Sequence, residues 1–217
     1  LKKFLSNNYM NVRKKIIIFD FDGVLVNTLN VMEIAWKQVK KEFGVKKKFK
    51  DYKKLIGLPF FTILRKLNIN KDHKKIHSVF NEISIKNENK AKLYTGVNTS
   101  LKALKNKGYK LAIVTSKDKN RASRLIKKFK IPIKNLNCPH QNFRGKPYPD
   151  QIFRAVRKSK ILPSQIFYIG DMDVDYLLAK NSKINFIFCS YGYENKKRKY
   201  SNTISKFSQI KKNTSKI

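Results

Sequence analysis

Four consecutive apolar residues near the start of the chain, Ile16-Ile17-Ile18-Phe19, run directly into Asp20-Phe21-Asp22-Gly23. An apolar run bounded by Lys14-Lys15 and a glycine is typical of a short strand buried on both faces. Such strands belong to parallel sheets covered by helices, and ligands bind at their carboxyl ends. A carboxylate at that end is costly to desolvate unless a cation compensates it, although Asp-Gly is also a common turn signal. Asp20 and Asp22 are therefore the first candidate functional residues.

The second half of the chain alternates helices with short apolar strands. Helices are predicted over Val97–Lys107, Lys119–Lys130, Asp150–Lys158 and Val174–Asn181, and strands over Tyr109–Val114, Asn135–Cys138, Ile166–Ile169 and Ile184–Phe188. This alternation predicts an α/β fold with a doubly wound parallel sheet and right-handed crossovers. Beyond Tyr193, Ile204, Phe207 and Ile210 are the expected packing positions of a lysine-rich tail.

A helical segment interrupts this pattern directly after the first strand. Asn30 is the predicted N-cap of a helix that runs to Phe43 and ends at Gly44, with further helices over Phe60–Leu67 and Asp72–Lys86. No strong strand pattern occurs between residues 28 and 92. We therefore predict a small helical cap domain over residues 28–91, lying above the carboxylates, and an α/β core over residues 14–27 and 92–217.

The charge balance is strongly basic, with 50 Lys+Arg against 14 Asp+Glu and a formal net charge of +36. Such an excess could mark a nucleic-acid partner. The basic residues are mostly lysines spread over every segment beside abundant Asn and Ile, a mixture that coding bias also produces. Arginine clusters with interleaved aromatics, which read or stack on bases, are not evident. We expect no nucleic-acid partner, and a positive field that draws small anions toward a cleft.

The composition of the chain also indicates the cellular compartment of the protein. Hydrophobic residues make up 41% of the 217 residues, typical of a globular protein. No apolar run approaches the roughly 20 residues of a bilayer span, and residues 1–10 lack the apolar core of a signal peptide. Two cysteines, Cys138 and Cys189, form neither a disulfide framework nor a metal-binding spacing. These features predict a cytoplasmic protein without a membrane partner, and none of them indicates an oligomeric state.

Polar groups follow three of the predicted strands: Asp20 and Asp22, then Thr115-Ser116, then Asp171. In a parallel sheet such strand ends converge on one crevice. Carboxylates without a nearby His or Cys suit Mg²⁺ rather than zinc. Lys146, between Gly145 and Pro147, supplies a positive charge for a phosphate. Together these groups form, in principle, a phosphoryl-transfer site.

The chain resembles phosphatases of the haloacid dehalogenase superfamily with a helical cap inserted after the first strand, and it is similar to phosphoglycolate phosphatases. The resemblance covers about Lys14 to Tyr193. Four motifs occur in the family's order: Asp20-Phe21-Asp22-Gly23-Val24, the apolar strand ending in Thr115-Ser116, Gly145-Lys146-Pro147, and Gly170-Asp171-Met172-Asp173-Val174-Asp175. Each motif alone is weak, whereas four in order are specific.

The resemblance implies a role for each motif residue. Asp20 would be the nucleophile that becomes an aspartyl-phosphate, and Asp22 the general acid and base. A Mg²⁺ ion would be held by the Asp20 carboxylate, the Asp22 backbone carbonyl and Asp171. Phosphoryl oxygens would be held by Thr115, Lys146 and the backbone N–H of Ser116, while Asp175 would orient the metal's water shell or Lys146.

The expected substrate is a small phosphorylated metabolite, such as phosphoglycolate or a sugar phosphate, hydrolysed as a phosphomonoester. Asp22 argues against a dehalogenase, which needs the nucleophile but not the acid–base carboxylate. Two alternatives stay open: a sugar-phosphate mutase with the same four motifs, and a basic nucleic-acid-binding protein that has lost catalytic activity. The segment Gly57-Leu58-Pro59-Phe60 resembles the cap loop that lies near the substrate, although a helix break also explains it.

Overall fold

A single parallel sheet forms the centre of the molecule in the computed structural model, which describes residues 15–194 and 199–210. The strands are β1 (Ile16–Phe19), β2 (Val26–Asn27), β3 (Lys92–Leu93), β4 (Lys110–Val114), β5 (Asn135–Asn137), β6 (Ile166–Gly170), β7 (Asn185–Cys189) and β8 (Thr203–Ile204). Six of them pair in parallel in the order β5-β4-β1-β6-β7-β8. The predicted α/β fold with a parallel sheet is confirmed.

Strand β1 lies in the middle of the sheet, between β4 and β6, and all four of its residues are buried. Its side chains alternate between two hydrophobic clusters, with Ile17 and Phe19 in one and Ile16 and Ile18 in the other. A strand with helices packed on both faces requires apolar residues at every position. The uninterrupted apolar run therefore follows directly from the central position of β1.

Four helices cover the two faces of the sheet: α5 (Val97–Asn106), α6 (Lys119–Lys128), α7 (Asp150–Val156) and α8 (Asp173–Asn181). Leu101 and Leu104 of α5 belong to the cluster of Ile17 and Phe19. Ile152 of α7 and Leu178 of α8 belong to the other cluster. The molecule is therefore layered as helix, sheet and helix.

Between β2 and β3 the chain forms four further helices: α1 (Leu29–Phe43), α2 (Phe49–Lys53), α3 (Phe60–Lys66) and α4 (His73–Lys86). They share an apolar cluster with an aromatic centre, in which the Tyr52 ring lies 4.7 Å from that of Trp36 and 5.6 Å from that of Phe80. Met172, Val174 and Tyr193 belong to the same cluster, so these helices pack directly on the α/β unit.

The N-cap of the first of these helices lies two residues before the predicted one. Helix α1 has Thr28 as its N-cap and Asn30 inside its first turn, so the prediction for Asn30 is wrong. The preceding residue, Asn27, accepts a hydrogen bond from the backbone N–H of Leu29 at 3.1 Å and takes part in this turn. The end of α1 is as predicted, because Gly44 adopts the left-handed conformation with φ of 63°.

Three short strands have no counterpart in the sequence prediction. Strands β2 and β3 pair antiparallel where the chain leaves and rejoins the α/β unit, and β8 extends the sheet beyond β7. The predicted packing positions Ile204, Phe207 and Ile210 are all buried, so the C-terminal segment of residues 203–210 is part of the core.

Cys138 and Cys189 are buried free thiols. Within the part of the chain that is described, no helix combines the length and apolar character that crossing a bilayer requires. The predictions for residues 1–14 and 211–217, including that of an N-terminus without a signal peptide, lie outside the described residues.

Candidate active site

The carboxyl ends of three adjacent strands bring the predicted site residues together. Asp20 follows β1, Thr115 follows β4 and Asp171 follows β6, and β1 lies between the other two. A cavity of about 40 Å³ opens at this edge, lined on the α/β side by Asp20, Asp22, Thr115, Ser116, Lys117 and Arg121. Residues of the four inserted helices and their loops line its other side, including Met32, Tyr52, Leu58, Phe60, Ile63 and Phe80.

Three buried carboxylates form a cluster at this edge of the sheet. Oxygens of Asp20, Asp171 and Asp175 lie within 4.8 Å of one another. Gly23 makes this approach possible: its φ is 82°, and a Cβ at this position would overlap the Asp171 carboxylate. The glycine of the Asp-x-Asp-Gly motif is therefore required both by backbone conformation and by space.

Lys146 lies among these carboxylates and is fully enclosed. Its Nζ atom is 2.8 Å from Asp20 Oδ1 and 2.8 Å from Asp175 Oδ1. Burial by itself would lower the pKa of Lys146, but Asp175 and Asp20 reverse this and hold the pKa above its usual value. The lysine is therefore a fixed positive charge in contact with the predicted nucleophile.

Asp175 uses both of its carboxylate oxygens in hydrogen bonds. Oδ1 accepts from Lys146 and, at 3.3 Å, from the Tyr168 hydroxyl, while Oδ2 accepts from the backbone N–H groups of Asp171 and Met172 at 3.1 Å. Asp175 therefore fixes both Lys146 and the turn that carries Asp171.

Of the three carboxylates in the cluster, Asp171 has the fewest hydrogen bonds to balance its negative charge. Its Oδ2 accepts a hydrogen bond from the backbone N–H of Tyr193 at 2.7 Å, whereas its buried Oδ1 has no partner among the described residues. Burial, with the neighbouring carboxylates Asp175 and Asp20, raises the pKa of Asp171 well above its ordinary value. An unpaired buried carboxylate oxygen in an acidic cluster fits a bound cation.

The pKa of Asp20 is raised as well. Burial raises its pKa to about 7 even though Lys146 acts in the opposite direction. The cluster of Asp20, Asp171 and Asp175 thus offers only carboxylate oxygens, and Lys146 is a single compensating charge. Such a hard, acidic donor set suits Mg²⁺.

The side chain of Asp22 lies outside this cluster. Its Oδ1 accepts a hydrogen bond from Thr28 Oγ1 at 2.5 Å and lies 3.2 Å from the Nζ of Lys117. Sequence reasoning missed both partners: Lys117 is one lysine among many, and Thr28 belongs to none of the four motifs. The proximity of Lys117 to Thr115-Ser116 is the only sequence signal that could have identified it. The two partners hold the Asp22 carboxylate in one orientation at the cavity.

Thr115 and Ser116 have different surroundings. Thr115 is buried, and its Oγ1 accepts a hydrogen bond from the backbone N–H of Lys117 at 3.1 Å. Ser116 Oγ donates to the carbonyl of Gly57 at 2.5 Å, which links the loop after β4 to the helical insertion. Gly57, Leu58 and Phe60, from the segment that resembles the family's cap loop, line the cavity.

The structure combines a parallel β-sheet, a carboxylate cluster, a buried lysine and a helical insertion. These are the features expected of the class of hydrolase that the four motifs suggest. Residues 17–189 match the model of the haloacid dehalogenase-like hydrolases, and the chain belongs to this family. The predicted family and the prediction of a phosphatase enzyme within it are confirmed.

Curated relatives agree with this assignment, and a solved structure shares the fold. The phosphoglycolate phosphatase of Aquifex aeolicus is 27% identical over 82% of this chain and 86% of its own length. A relative from Clostridium perfringens, provisionally named a pyrophosphatase, is 27% identical over 77% of this chain and 80% of its own length. The crystal structure of a hydrolase from Pseudomonas syringae has the same fold, with a TM-score of 0.85 and 20% identity, and covers 94% of this chain and 99% of that chain.

Proposed function

We propose that the protein is a Mg²⁺-dependent phosphatase that hydrolyses a small phosphomonoester through an aspartyl-phosphate on Asp20. One observation carries this proposal: Asp20, paired with the buried Lys146, and Asp22, held by Thr28 and Lys117, line the same cavity. A nucleophile and an acid–base group are thereby presented together to one bound phosphate ester.

In the proposed reaction a carboxylate oxygen of Asp20 attacks phosphorus, and the ester oxygen leaves with a proton from Asp22. Asp22 then takes a proton from the attacking water, and the phosphate–Asp20 bond breaks to release inorganic phosphate. The contacts with Thr28 and Lys117 aim the Asp22 carboxylate at the cavity. Acid–base assistance of this kind typically contributes about 10²–10⁴-fold to the rate.

The phosphoryl group would be held by the groups that the family motifs suggest. The Nζ atom of Lys146 lies 2.8 Å from Oδ1 of Asp20. At this position its positive charge stabilises the negative charge that develops on the phosphoryl oxygens. Thr115 and Ser116 line the cavity beside Asp20. The hydroxyl of Thr115 and the backbone N–H of Ser116 are donors suited to the remaining oxygens.

For the metal, we propose the carboxylates of Asp20 and Asp171 as ligands, with the backbone carbonyl of Asp22. The buried Oδ1 of Asp171, which has no hydrogen-bond partner in the described part of the chain, supports this assignment. Asp175 is proposed to position Lys146 and the Asp171 turn, because its oxygens are already hydrogen-bonded. When bound, Mg²⁺ supplies charge neutralisation for the carboxylates and for the phosphate.

We further propose that residues 28–91, which contain α1–α4, act as the cap that closes over the substrate. This unit covers the cavity with Leu58, Phe60 and Phe80.

The test is hydrolysis of p-nitrophenyl phosphate and of a panel of phosphorylated metabolites by the purified protein with and without Mg²⁺. We expect phosphate release that needs Mg²⁺ and that Asp20→Asn abolishes while the variant keeps its fold by circular dichroism. Residual turnover of more than a few per cent in Asp20→Asn contradicts the nucleophile assignment. Conversion of a sugar phosphate to its isomer without phosphate release would identify a mutase instead.

A further inference from the structure

A larger cavity lies outside the candidate active site. It is an open groove of about 740 Å³ formed by helix α7 and by the loop of residues 138–149 that precedes it. We call it the α7 groove. Among the described residues, its lining shares none with the lining of the active-site cavity. Arginine and phenylalanine side chains form most of the lining: Phe143, Arg144, Phe153, Arg154 and Arg157.

The arginine content of the α7 groove departs from the composition of the chain. Three of the eight arginines line it, although most of the 50 Lys+Arg residues are lysines. A coding bias toward lysine does not account for this local concentration of arginine. The expectation of no nucleic-acid partner rests on the lack of an evident arginine cluster with interleaved aromatics. Folding produces such a cluster, because helical spacing brings Phe153, Arg154 and Arg157 to one face of α7.

Three aromatic rings at or beside the groove are exposed to an extent that is unusual for large apolar side chains. Phe143, Tyr148 and Phe153 are 40%, 48% and 56% exposed. They make up half of the large apolar side chains that are exposed in the described part of the chain. An exposed apolar patch with a polar surround is typical of a binding surface.

Guanidinium groups lie on two of these rings. The guanidinium carbon of Arg154 is 5.5 Å from the centre of the Phe143 ring, and that of Arg144 is 4.5 Å from the centre of the Tyr148 ring. Such contacts hold planar cations and aromatic rings side by side at the surface. The groove therefore presents flat groups of both kinds to solvent.

The positive charges at the groove differ in their availability to an anion. Arg144 is paired with Asp150 at 3.1 Å, which compensates its charge. Neither Arg154 nor Arg157 forms an ion pair with a carboxylate within the residues that the structure describes. These two guanidinium groups therefore attract an anion. The formal net charge of +36 favours a polyanion over a second copy of this chain, which would bring like charges together.

We propose that the α7 groove binds single-stranded nucleic acid, with bases stacked on its exposed rings and phosphates at Arg154 and Arg157. A single strand offers an uncovered base face and a phosphate at every nucleotide, which matches aromatic rings beside guanidinium groups. In a duplex the base faces are covered by neighbouring base pairs, so a duplex uses only the charges. This binding does not depend on the proposed phosphatase activity.

The experiment measures oligonucleotide binding by fluorescence anisotropy at about 0.15 M salt, with strands of about 12 nucleotides. The probes are a DNA strand, an RNA strand of the same sequence and the corresponding DNA duplex. All lack terminal phosphates, so none is a phosphomonoester substrate. We expect at least one single strand to bind more tightly than the duplex. Attraction by dispersed lysines alone predicts the reverse order, because the duplex has the higher charge density.

The stacking step is tested by Phe153→Leu, which removes a ring but no charge. We expect it to weaken single-strand binding by about 5- to 100-fold, as the loss of one stacked base implies, and to leave duplex binding unchanged. Phe61→Leu is the matched control, because Phe61 is also an exposed phenylalanine but lies on α3. It should change neither affinity.

The charge step is tested by Arg157→Gln. We expect lower affinity for the single strand and a slope of log K against log salt that is smaller by about 0.7, the value for one phosphate contact of a single strand. Lys158→Gln is the matched control, since Lys158 is the next residue, exposed and outside the lining of the groove. It should change both quantities less.

Several outcomes overturn the proposal. One is a wild type that binds neither single strand at micromolar concentration, or that binds the duplex at least as tightly; this test needs no variant to fold. Unchanged binding in Phe153→Leu, or equal effects of Arg157→Gln and Lys158→Gln, would show general attraction by surface charge. A polyglutamate peptide that binds as tightly as the single strands would assign the groove to an acidic protein. A dimer in sedimentation velocity that Phe153→Leu dissociates would assign it to self-association.

Discussion

Replacing Lys146 with methionine tests the electrostatic account of the site. Methionine keeps most of the volume but removes the ammonium group that contacts both Asp20 and Asp175. Breaking a buried ion pair by removing one partner costs about 3–5 kcal/mol, because the other charge is left uncompensated. For a domain of this size each kcal/mol lowers Tm by about 2–4 °C, so we expect Tm to fall by roughly 6–20 °C near neutral pH.

The pH dependence of this loss has a definite sign. Burial raises the pKa of Asp20, and Lys146 opposes that rise, so removing the lysine raises the pKa further. A carboxylate with a raised pKa in the folded state is protonated at low pH, where its burial is less costly. The difference in Tm between Lys146→Met and the wild type should therefore shrink as the pH falls from about 8 to about 5.

The assay is thermal unfolding followed by circular dichroism, without Mg²⁺, at both pH values. Arg144→Met is the matched control, since Arg144 lies two residues away in the same loop and pairs at 3.1 Å with Asp150 at the surface. An exposed pair contributes about 0–1 kcal/mol, so this variant should lose no more than about 4 °C. A loss in Lys146→Met equal to that of the control, or one that grows toward low pH, would refute the reasoning.

Two further predictions concern the metal and the C-terminal segment. Burial raises the pKa of Asp20 to about 7, so this carboxyl holds a proton at about pH 5 that Mg²⁺ must displace, and the raised pKa of Asp171 acts in the same direction. Millimolar Mg²⁺ should therefore raise Tm more at about pH 8 than at about pH 5, and an equal rise contradicts a site at these carboxylates. Phe207 is buried with its ring 5.7 Å from that of Phe19, so Phe207→Ala should cost about 3–5 kcal/mol in chemical denaturation, against less than about 1 kcal/mol for the exposed Phe153→Ala. Similar values for the two variants would show that the C-terminal segment is not part of the core.

The family and the sheet were predictable because the four motifs and the apolar strands are short, continuous stretches of the sequence. The apolar run Ile16–Phe19 indicates a strand buried on both faces wherever it occurs, and the structure places it at the centre of the sheet. Strands as short as Thr203–Ile204 carry no periodicity, and their existence depends on a partner strand remote in sequence. The error at Asn30 has a related origin, because the start of α1 is set by the turn after β2.

The sequence by itself determined which groups are available: the aspartates after β1 and β6, the hydroxyl groups after β4 and the lysine of the Gly-Lys-Pro motif. Only the tertiary structure decided what each group contacts. It pairs Lys146 with two carboxylates, brings Lys117 to Asp22, and leaves one oxygen of Asp171 without a partner among the residues that the structure describes. The physical reason is that one lysine among many has no distinguishing local pattern. Its chemistry is set by burial and by neighbours that folding brings from distant parts of the chain.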